Sequence, residues 1–491
     1  MRQPPDSLRS FPPEGEVSSS ERPGGSHMAG LLDLSLREVA AAIRTKEVSP
    51  VELARLSLER IAADEPRIHA YARLTEARAM AAARQAEREI LAGHWRGELH
   101  GVPVAVKDLY DMAGLPATCS SKVRHDHIAA ADSACVQRLE QAGACIVGMT
   151  HTHEFAYGIA TPTTGNPWNT AHIPGGSSGG SGATLAARGC FMAMGTDTGG
   201  SIRIPAAVCG TVGLKPTYGR VSRVGIASLS WSLDHAGPLA RTVGDCAVTL
   251  GVLAGHDPRD PGSADVPVAD YTAELELGVQ GLRIGVPRNF FFEHVQPEVA
   301  ANVRAALVLL ESQGATLVDV TVPMAEMIQA IEFGLCMPEA SAYHRTMLRE
   351  RAHLYEPDVR SFLEAGMLIP AVDYIAALRQ RTLLQAAWAT MFDGLDALIG
   401  PAVAAVAMRR DQPTITWPDG VEETASGVYV RLSAPANVTG TPSVAVPCGF
   451  GQGGLPTAFQ VMGRPFGEAR ILRIARAYER ATDWHTRQPP R

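Results

Sequence analysis

Two glycine-bracketed serine blocks limit what this chain can become. They are Gly175-Gly176-Ser177-Ser178-Gly179-Gly180-Ser181 and Asp197-Thr198-Gly199-Gly200-Ser201-Ile202-Arg203, with Ser201 standing 24 positions after Ser177. Glycine takes backbone angles closed to other residues and lets main-chain N–H groups approach whatever lies beside them. A serine held in this way can be an exposed nucleophile whose oxyanion donors come from the backbone. It still needs a proton acceptor. Neither block contains a histidine, so a histidine-based triad is not indicated. The other activator is a lysine kept neutral, and Val102-Pro103-Val104-Ala105-Val106-Lys107-Asp108 carries one at the end of an apolar run.

Each piece also has a plain reading. A glycine-serine run is often a flexible linker, and a lysine after a strand is often a solvated end. A phosphate-binding loop would close on Gly-Lys-Ser or Gly-Lys-Thr, which neither block does. The three motifs together favour acyl transfer over any of these.

The segment from Lys107 through Arg203, continued by Ile204-Pro205-Ala206, resembles the amidase signature family. A later match begins at Gly454-Leu455-Pro456-Thr457-Ala458-Phe459-Gln460 and runs through Gly463, Phe466 and Glu468, with Ala458 where the family usually has a second glycine. The likeness extends roughly from Leu31 to Trp484 and is looser between about Ala264 and Val430. The resemblance implies a Ser-cisSer-Lys triad: Ser201 as nucleophile, Ser177 as the bridge held by a cis Gly176–Ser177 peptide, and Lys107 as base. It further implies an oxyanion hole from the backbone amides of Thr198, Gly199, Gly200 and Ser201. Ser178, Asp197 and Arg203 are expected to support the loops. Candidate substrate-pocket residues are Met149, Phe155, Tyr157, Ile202, Leu335 and Met337, each of which has core packing as its plain reading.

His151-Thr152-His153-Glu154 suggests a metal site, but an H-x-H without a third ligand at recognisable spacing is a weak one. The resemblance matches Glu154-Phe155-Ala156 to a cleft-side segment that binds no metal. No metal and no cofactor are therefore expected.

The remainder of the chain frames this reading. Hydrophobic residues make up 46% of the 491 positions and charged residues 19%, enough to bury a large core. The formal charge is −7 without a long basic run, which disfavours nucleic-acid binding through a basic face. No apolar run reaches the 18 residues of a membrane span. Cys119, Cys135, Cys145, Cys190, Cys209, Cys246, Cys336 and Cys448 form no C-x-x-C pair and read as buried or free thiols of a reducing, cytoplasmic compartment. Residues 1–29 are rich in Pro, Ser and Gly without apolar patterning, and Gly25-Ser26-His27-Met28 resembles a cloning scar or an early start. They are expected to be a disordered leader outside the fold.

From Leu31 onward the pattern is that of an α/β protein. Ser35-Leu36-Arg37-Glu38 and Ser49-Pro50-Val51-Glu52 have capping-box form, the second followed by the stripe Leu53, Leu56 and Ile61. A helix is predicted over Glu76–Leu91, a strand through Val106, a helix over Ala134–Gln141 and a strand over Ala144–Val147. Strands over Leu282–Val286, Leu317–Val322 and Ala397–Ile399 flank a helix ended by Gly314 and a mainly helical stretch, 330–395. We read one large domain over residues 30–491. It has a mixed central β-sheet flanked by helices, an N-terminal helical segment and a helical insertion.

The substrate class is less constrained. The family includes stand-alone amidases, carbamate and urea-type hydrolases, and the glutamine-hydrolysing component of the tRNA-dependent amidotransferase, which takes ammonia from glutamine. Where that component holds an aspartate for the glutamine amino group, this chain has Val430. Its arginine-tyrosine-aspartate-glycine run is also missing around Met337-Pro338-Glu339-Ala340-Ser341. A buried ammonium without its carboxylate is costly. An independent hydrolase is therefore expected, acting on a small-molecule amide or carbamate (urethane), or an ester. A second copy of the chain is a candidate partner. The readings of another class are a catalytically silent scaffold, which intact Lys107, Ser177 and Ser201 disfavour, and a nucleotide-binding protein.

Overall fold

The computed structural model describes residues 30–490. The expected leader, 1–29, lies outside them. The strands in chain order are β1 (Tyr71–Leu74), β2 (Pro103–Lys107), β3 (Cys145–Thr150), β4 (Met192–Asp197), β5 (Val212–Lys215), β6 (His235–Ala240), β7 (Arg283–Pro287), β8 (Thr316–Val320) and β9 (Ala397–Pro401). They are followed by β10 (Thr414–Thr416), β11 (Glu422–Thr424), β12 (Ser443–Phe450) and β13 (Pro456–Met462). β10 and β11 form a separate hairpin. The other 11 build one sheet in the order β1-β3-β2-β4-β6-β5-β12-β13-β9-β7-β8.

The sheet is mixed, as expected. β2 runs parallel to both β3 and β4, and β7 runs parallel to β8 and β9, while the centre from β4 through β13 is antiparallel. β2, β3 and β4 are buried along their whole length, which is why they read as apolar runs and not as clean alternation. Because these three strands are parallel, their carboxyl ends, Lys107, Thr150 and Asp197, reach the same side of the sheet. Open α/β sheets place ligands beyond that edge.

The helices form where their caps predict. Ser35 and Glu38 complete a reciprocal capping box, with Glu38 N–H donating to Ser35 Oγ at 3.2 Å and Ser35 N–H donating to Glu38 Oε2 at 2.7 Å. Ser49 caps its helix differently from expectation. Glu52 N–H donates to Ser49 Oγ, but the Ser49 hydroxyl turns to Glu87 on the neighbouring helix. The packing of Pro50–Ile68 against Glu76–Leu91 outcompetes the local box. Glu76–Leu91 and Ala134–Gln141 match their predicted spans, and Pro297–Ser312 ends ahead of Gly314 at φ +95°. The helical stretch between β8 and β9 resolves into Ile328–Arg351, Pro357–Gly366 and Ala371–Met391. No single helix among the described residues is long and apolar enough to cross a membrane. The last two helices pass that test only jointly, across a 92° bend. All eight cysteines are buried and free.

Candidate active site

β2 carries Lys107 into the interior at its carboxyl end, where the side chain is fully buried. Its Nζ donates to Ser177 Oγ at 2.7 Å and to Thr196 Oγ1 at 2.8 Å. Burial pushes the amine down to about 7, against the opposing pull of Asp197 and Asp234. A lysine in that range is substantially neutral at physiological pH and accepts protons. The Gly176–Ser177 peptide is cis. The Ser177 carbonyl accepts from His153 N–H at 3.0 Å and from Thr161 Oγ1 at 3.1 Å, which fixes the loop. Gly180, the second residue of the following helix (Gly179–Ala186), must be glycine because a Cβ there would stand 2.4 Å from the Ala70 carbonyl oxygen.

The second block leaves β4 and wraps around a buried ion pair. Asp197 Oδ2 accepts from Arg203 Nε at 3.0 Å and Oδ1 from Arg203 Nη2 at 3.0 Å. Arg203 in turn reaches Asn437 Oδ1 at 2.6 Å and Gln460 Oε1 at 3.0 Å, so the whole group is satisfied. Burial alone would raise the Asp197 carboxyl. The charge and hydrogen bonds of Arg203, with Lys215 and Asn437, hold it well below the ordinary carboxylate range. Asp197 Oδ1 also takes the Gly200 N–H at 2.8 Å. Gly200 is thus engaged inside the loop, and of the four expected oxyanion donors Thr198, Gly199 and Ser201 are the ones not bound by Asp197. Gly200 has φ +128°, and a Cβ on it would lie 2.2 Å from Ser433 Oγ.

Ser201 is 7% exposed and opens on a cleft, alongside Thr198 and Gly199. Its carbonyl accepts from Ser178 N–H at 3.2 Å, which ties the two serine blocks together. The Ser178 hydroxyl itself faces the Thr196 backbone at 3.3 Å. Lys107, Ser177, Ser178, Asp197, Ser201 and Arg203 therefore lie in one connected region.

The pocket candidates fare differently. Tyr157 lines the cleft. Met149, Phe155, Ile202 and Leu335 are core residues, at most 1% exposed. Met149 lies inside β3, and Phe155 packs edge-on against His344 at 4.4 Å. Met337 is half-buried on Ile328–Arg351, with its carbonyl bonded to Ser341. The cleft walls instead come from Ala156, Ile159, Leu229, Phe333, Phe362 and Val430. The reason is helical geometry. On Ile328–Arg351 the face carrying Glu332, Phe333 and Cys336 meets the cleft, and the face of Leu335 and Met337 does not. A second opening of ≈ 280 Å³ continues past Thr196 and Thr198 to Arg223, Trp231 and Asp234.

Two carboxyl groups escaped the sequence reading. Asp234 accepts from Thr198 Oγ1 at 2.6 Å, Ser228 Oγ at 2.7 Å and Ser230 N–H at 3.0 Å, so it anchors the start of the serine loop. Glu332 lies in the cleft wall. No local motif marks either one. Gln460, by contrast, stands inside the late match that the resemblance singled out.

The histidine segment is occupied by structural bonds. His153 Nδ1 accepts from the Ala160 and Thr161 amides at 3.3 Å, which directs Nε2–H to Asp358 at 3.1 Å. His151 meets Ser120 Oγ at 3.1 Å, and burial, with His69 nearby, lowers it to about 4. Among the described residues no group of three or more His, Cys, Asp or Glu is arranged to hold a metal ion.

Comparison with known proteins bears on this arrangement. The family model described as Amidase matches residues 52–472. An amidase of Pseudomonas putida is 52% identical over 94% of this chain and 99% of its own length. The A-type component of the glutamyl-tRNA(Gln) amidotransferase of Myxococcus xanthus is 39% identical over 94% of this chain and 99% of its own. Among solved structures, a chain of an inhibitor-bound vestigial protein complex, described as revealing the evolutionary origins of an s-triazine catabolic enzyme, superposes with a TM-score of 0.88 at 33% identity, covering 91% of this chain and 98% of the other.

Proposed function

Because the chain belongs to the amidase family, whose members hydrolyse carbon–nitrogen bonds other than peptide bonds, we propose that it is a free-standing amidase working through a Ser201 acyl-enzyme. The observation that carries the reading is the Lys107 Nζ–Ser177 Oγ hydrogen bond of 2.7 Å, made by a lysine pushed to about 7; the Ser177 loop is tied through Ser178 N–H to the carbonyl of the cleft-lining Ser201.

In this mechanism Ser201 Oγ attacks the amide carbonyl carbon. Its proton passes to Ser177 Oγ while the Ser177 proton passes to Lys107 Nζ. The carbonyl oxygen becomes an oxyanion and meets the backbone N–H groups of Thr198, Gly199 and Ser201, each donor contributing about 2.7–4 kcal/mol to the transition state. Amines leave badly unless protonated, so the relay runs in reverse, delivering a proton to the departing nitrogen as the C–N bond breaks. Water then attacks the acyl-enzyme by the same route and frees the acid. Asp197 and Arg203 hold the loop, and Asp234 holds Thr198.

Amide hydrolysis by the chain alone is favoured over glutamine-fed ammonia transfer, since Val430 presents an apolar side chain to the cleft and the amidase relative is the more similar of the two. Carbamates and esters fit the same chemistry. The reading treats residues 30–491 as one catalytic unit acting in the cytoplasm on a small molecule.

The test is amine release by the purified single chain from glutamine, a primary aliphatic amide, an aryl anilide and an aryl carbamate, with Ser201→Ala as control. Turnover of an amide but not glutamine is expected, and Ser201→Ala abolishes it. Full activity in Ser201→Ala removes the nucleophile assignment. Glutamine turnover that needs added partner proteins moves the chain to the amidotransferase.

A further inference from the structure

Among the described residues that line the cleft, Glu332 is the one acid. It stands on the helix Ile328–Arg351, is 2% exposed and lines the cleft together with Ser201 and Gly199. Its carboxyl presses on the serine loop, since a Cβ built on Gly199 would lie 2.8 Å from Glu332 Oε1 and 3.2 Å from Val430 Cγ1. Oε2 is buried and has no hydrogen-bond partner among the described residues. Around it the wall is mainly apolar, with Ala156, Ile159, Leu229, Phe333 and Val430, and it also holds Ser426 and Tyr157, whose hydroxyl is likewise buried without a partner among the described residues.

A buried polar atom left unpaired costs free energy that the fold does not recover by itself. Here the unpaired atom belongs to the wall of the site where substrate binds, so the missing partner can arrive with the substrate. The cleft at this point is small, ≈ 60 Å³, which places any acyl substituent close to the wall.

We propose that Glu332 forms a polar subsite of the cleft, its carboxyl hydrogen-bonding an uncharged polar group, a hydroxyl above all, on the acyl portion of the substrate beside the scissile carbonyl. The inference rests on Ser201 being the nucleophile, because that fixes where the acyl portion lies. Charge state supports it. Burial, reinforced by Asp197 and Glu339, raises the carboxyl well above its ordinary range against the weaker pull of Arg381 and Arg203. A neutral acid both donates and accepts, which suits a hydroxyl; an ammonium would require it to ionise beside Asp197. The subsite also supplies a polar group next to Val430, where the expected aspartate is missing, but from another helix and in another charge state.

The experiment compares three near-isosteric amides, lactamide, propionamide and alaninamide, with the full chain, Glu332→Gln and Glu332→Leu, reading kcat and KM separately. The expected wild-type preference for lactamide over propionamide in kcat/KM is about tenfold or more, the worth of one well-made hydrogen bond. Glu332→Gln keeps most of it, and Glu332→Leu brings the ratio to about one, mainly through KM for lactamide. A wild-type ratio near one, a ratio unchanged in Glu332→Leu, or a preference for the cationic alaninamide overturns the proposal. If the wild type turns over none of the three, the amidase reading is judged separately, on the wider panel of aliphatic and aryl amides. Calorimetric binding of lactamide and propionamide to Ser201→Ala then decides the subsite, equal affinities overturning it.

Discussion

One wall of the cleft, from Lys107 through Arg203, is cross-linked by polar contacts, whereas the other, from Ile328–Arg351, Pro357–Gly366 and Ala425–Thr439, meets the substrate space mainly with Phe333, Cys336, Phe362 and Val430, Glu332 and Ser426 being its polar members. In the first wall Lys107, Asp197 and Arg203 are fully buried and each is hydrogen-bonded to a named partner within 3.0 Å. The second wall meets the first through a ring contact, Phe362 against Tyr157 at 5.3 Å. Proton relay and oxyanion binding require fixed geometry, and directional bonds supply it. Accommodating a substituent requires shape, which dispersion contacts supply with more tolerance. The contrast predicts steep losses for changes in the first wall and graded shifts in selectivity for changes in the second.

The largest effect is expected for Lys107→Met. It removes the base and leaves Ser177 Oγ and Thr196 Oγ1 without their donor. Turnover of a good amide substrate falls by about 10²–10⁴, the usual worth of a positioned base. The pH profile sharpens this. The neutral amine is the active form, so wild-type turnover rises as pH passes upward through about 7 and is lost below it. The residual activity of Lys107→Met has no such limb. A wild-type rate flat from about pH 5.5 to 8.5, well to either side of the ordinary histidine range, means that another group accepts the proton.

Next comes Arg203→Met, a test of stability. It strands the Asp197 carboxylate at 0% side-chain exposure with the guanidinium gone. Breaking one partner of a buried pair costs about 3–5 kcal/mol. The urea midpoint should fall accordingly, and activity should fall with it because Asp197 no longer holds the Gly200 N–H. An unchanged midpoint shows that Asn437 and the loop amides suffice to satisfy Asp197.

The same contrast governs what the sequence displays. Lys107, Ser177, Ser201, Asp197 and Arg203 sit in short motifs because backbone loops impose glycine, serine and charge at fixed spacing. Alternation along Val102, Val104 and Val106 likewise marks β2, and the spans predicted for β7, Glu76–Leu91 and Ala134–Gln141 lie close to the observed ones. Glu332, Phe333 and Phe362 are carried in by helices more than 130 positions after Ser201. Which face of Ile328–Arg351 meets the cleft depends on its packing against Pro357–Gly366, Ala371–Met391 and Ala425–Thr439, which no local pattern encodes. That is why Leu335 and Met337 are plausible from composition and absent from the cleft. Asp234 escapes for a related reason: it reaches Thr198 only because β6 pairs with β4 in the register that sets His235 opposite Asp197.

The smallest and most diagnostic change is Phe362→Ala. Phe362 is 36% exposed, so its loss uncovers a partly buried ring, and the unfolding free energy from urea titration should fall by about 1–2 kcal/mol, less than for Arg203→Met. Its ring nevertheless backs Tyr157 at the cleft mouth. Opening that space should shift kcat/KM between a compact aliphatic amide and a bulkier aryl amide by about 10–200-fold in favour of the bulkier one, the range that an apolar pocket of altered size delivers. Because the hydrogen bonds of Lys107 to Ser177 and Thr196 are untouched, the pH limb near 7 should remain. If selectivity and the pH limb moved together, the two walls would be one coupled unit, and the division between fixed chemistry and adjustable shape would not hold.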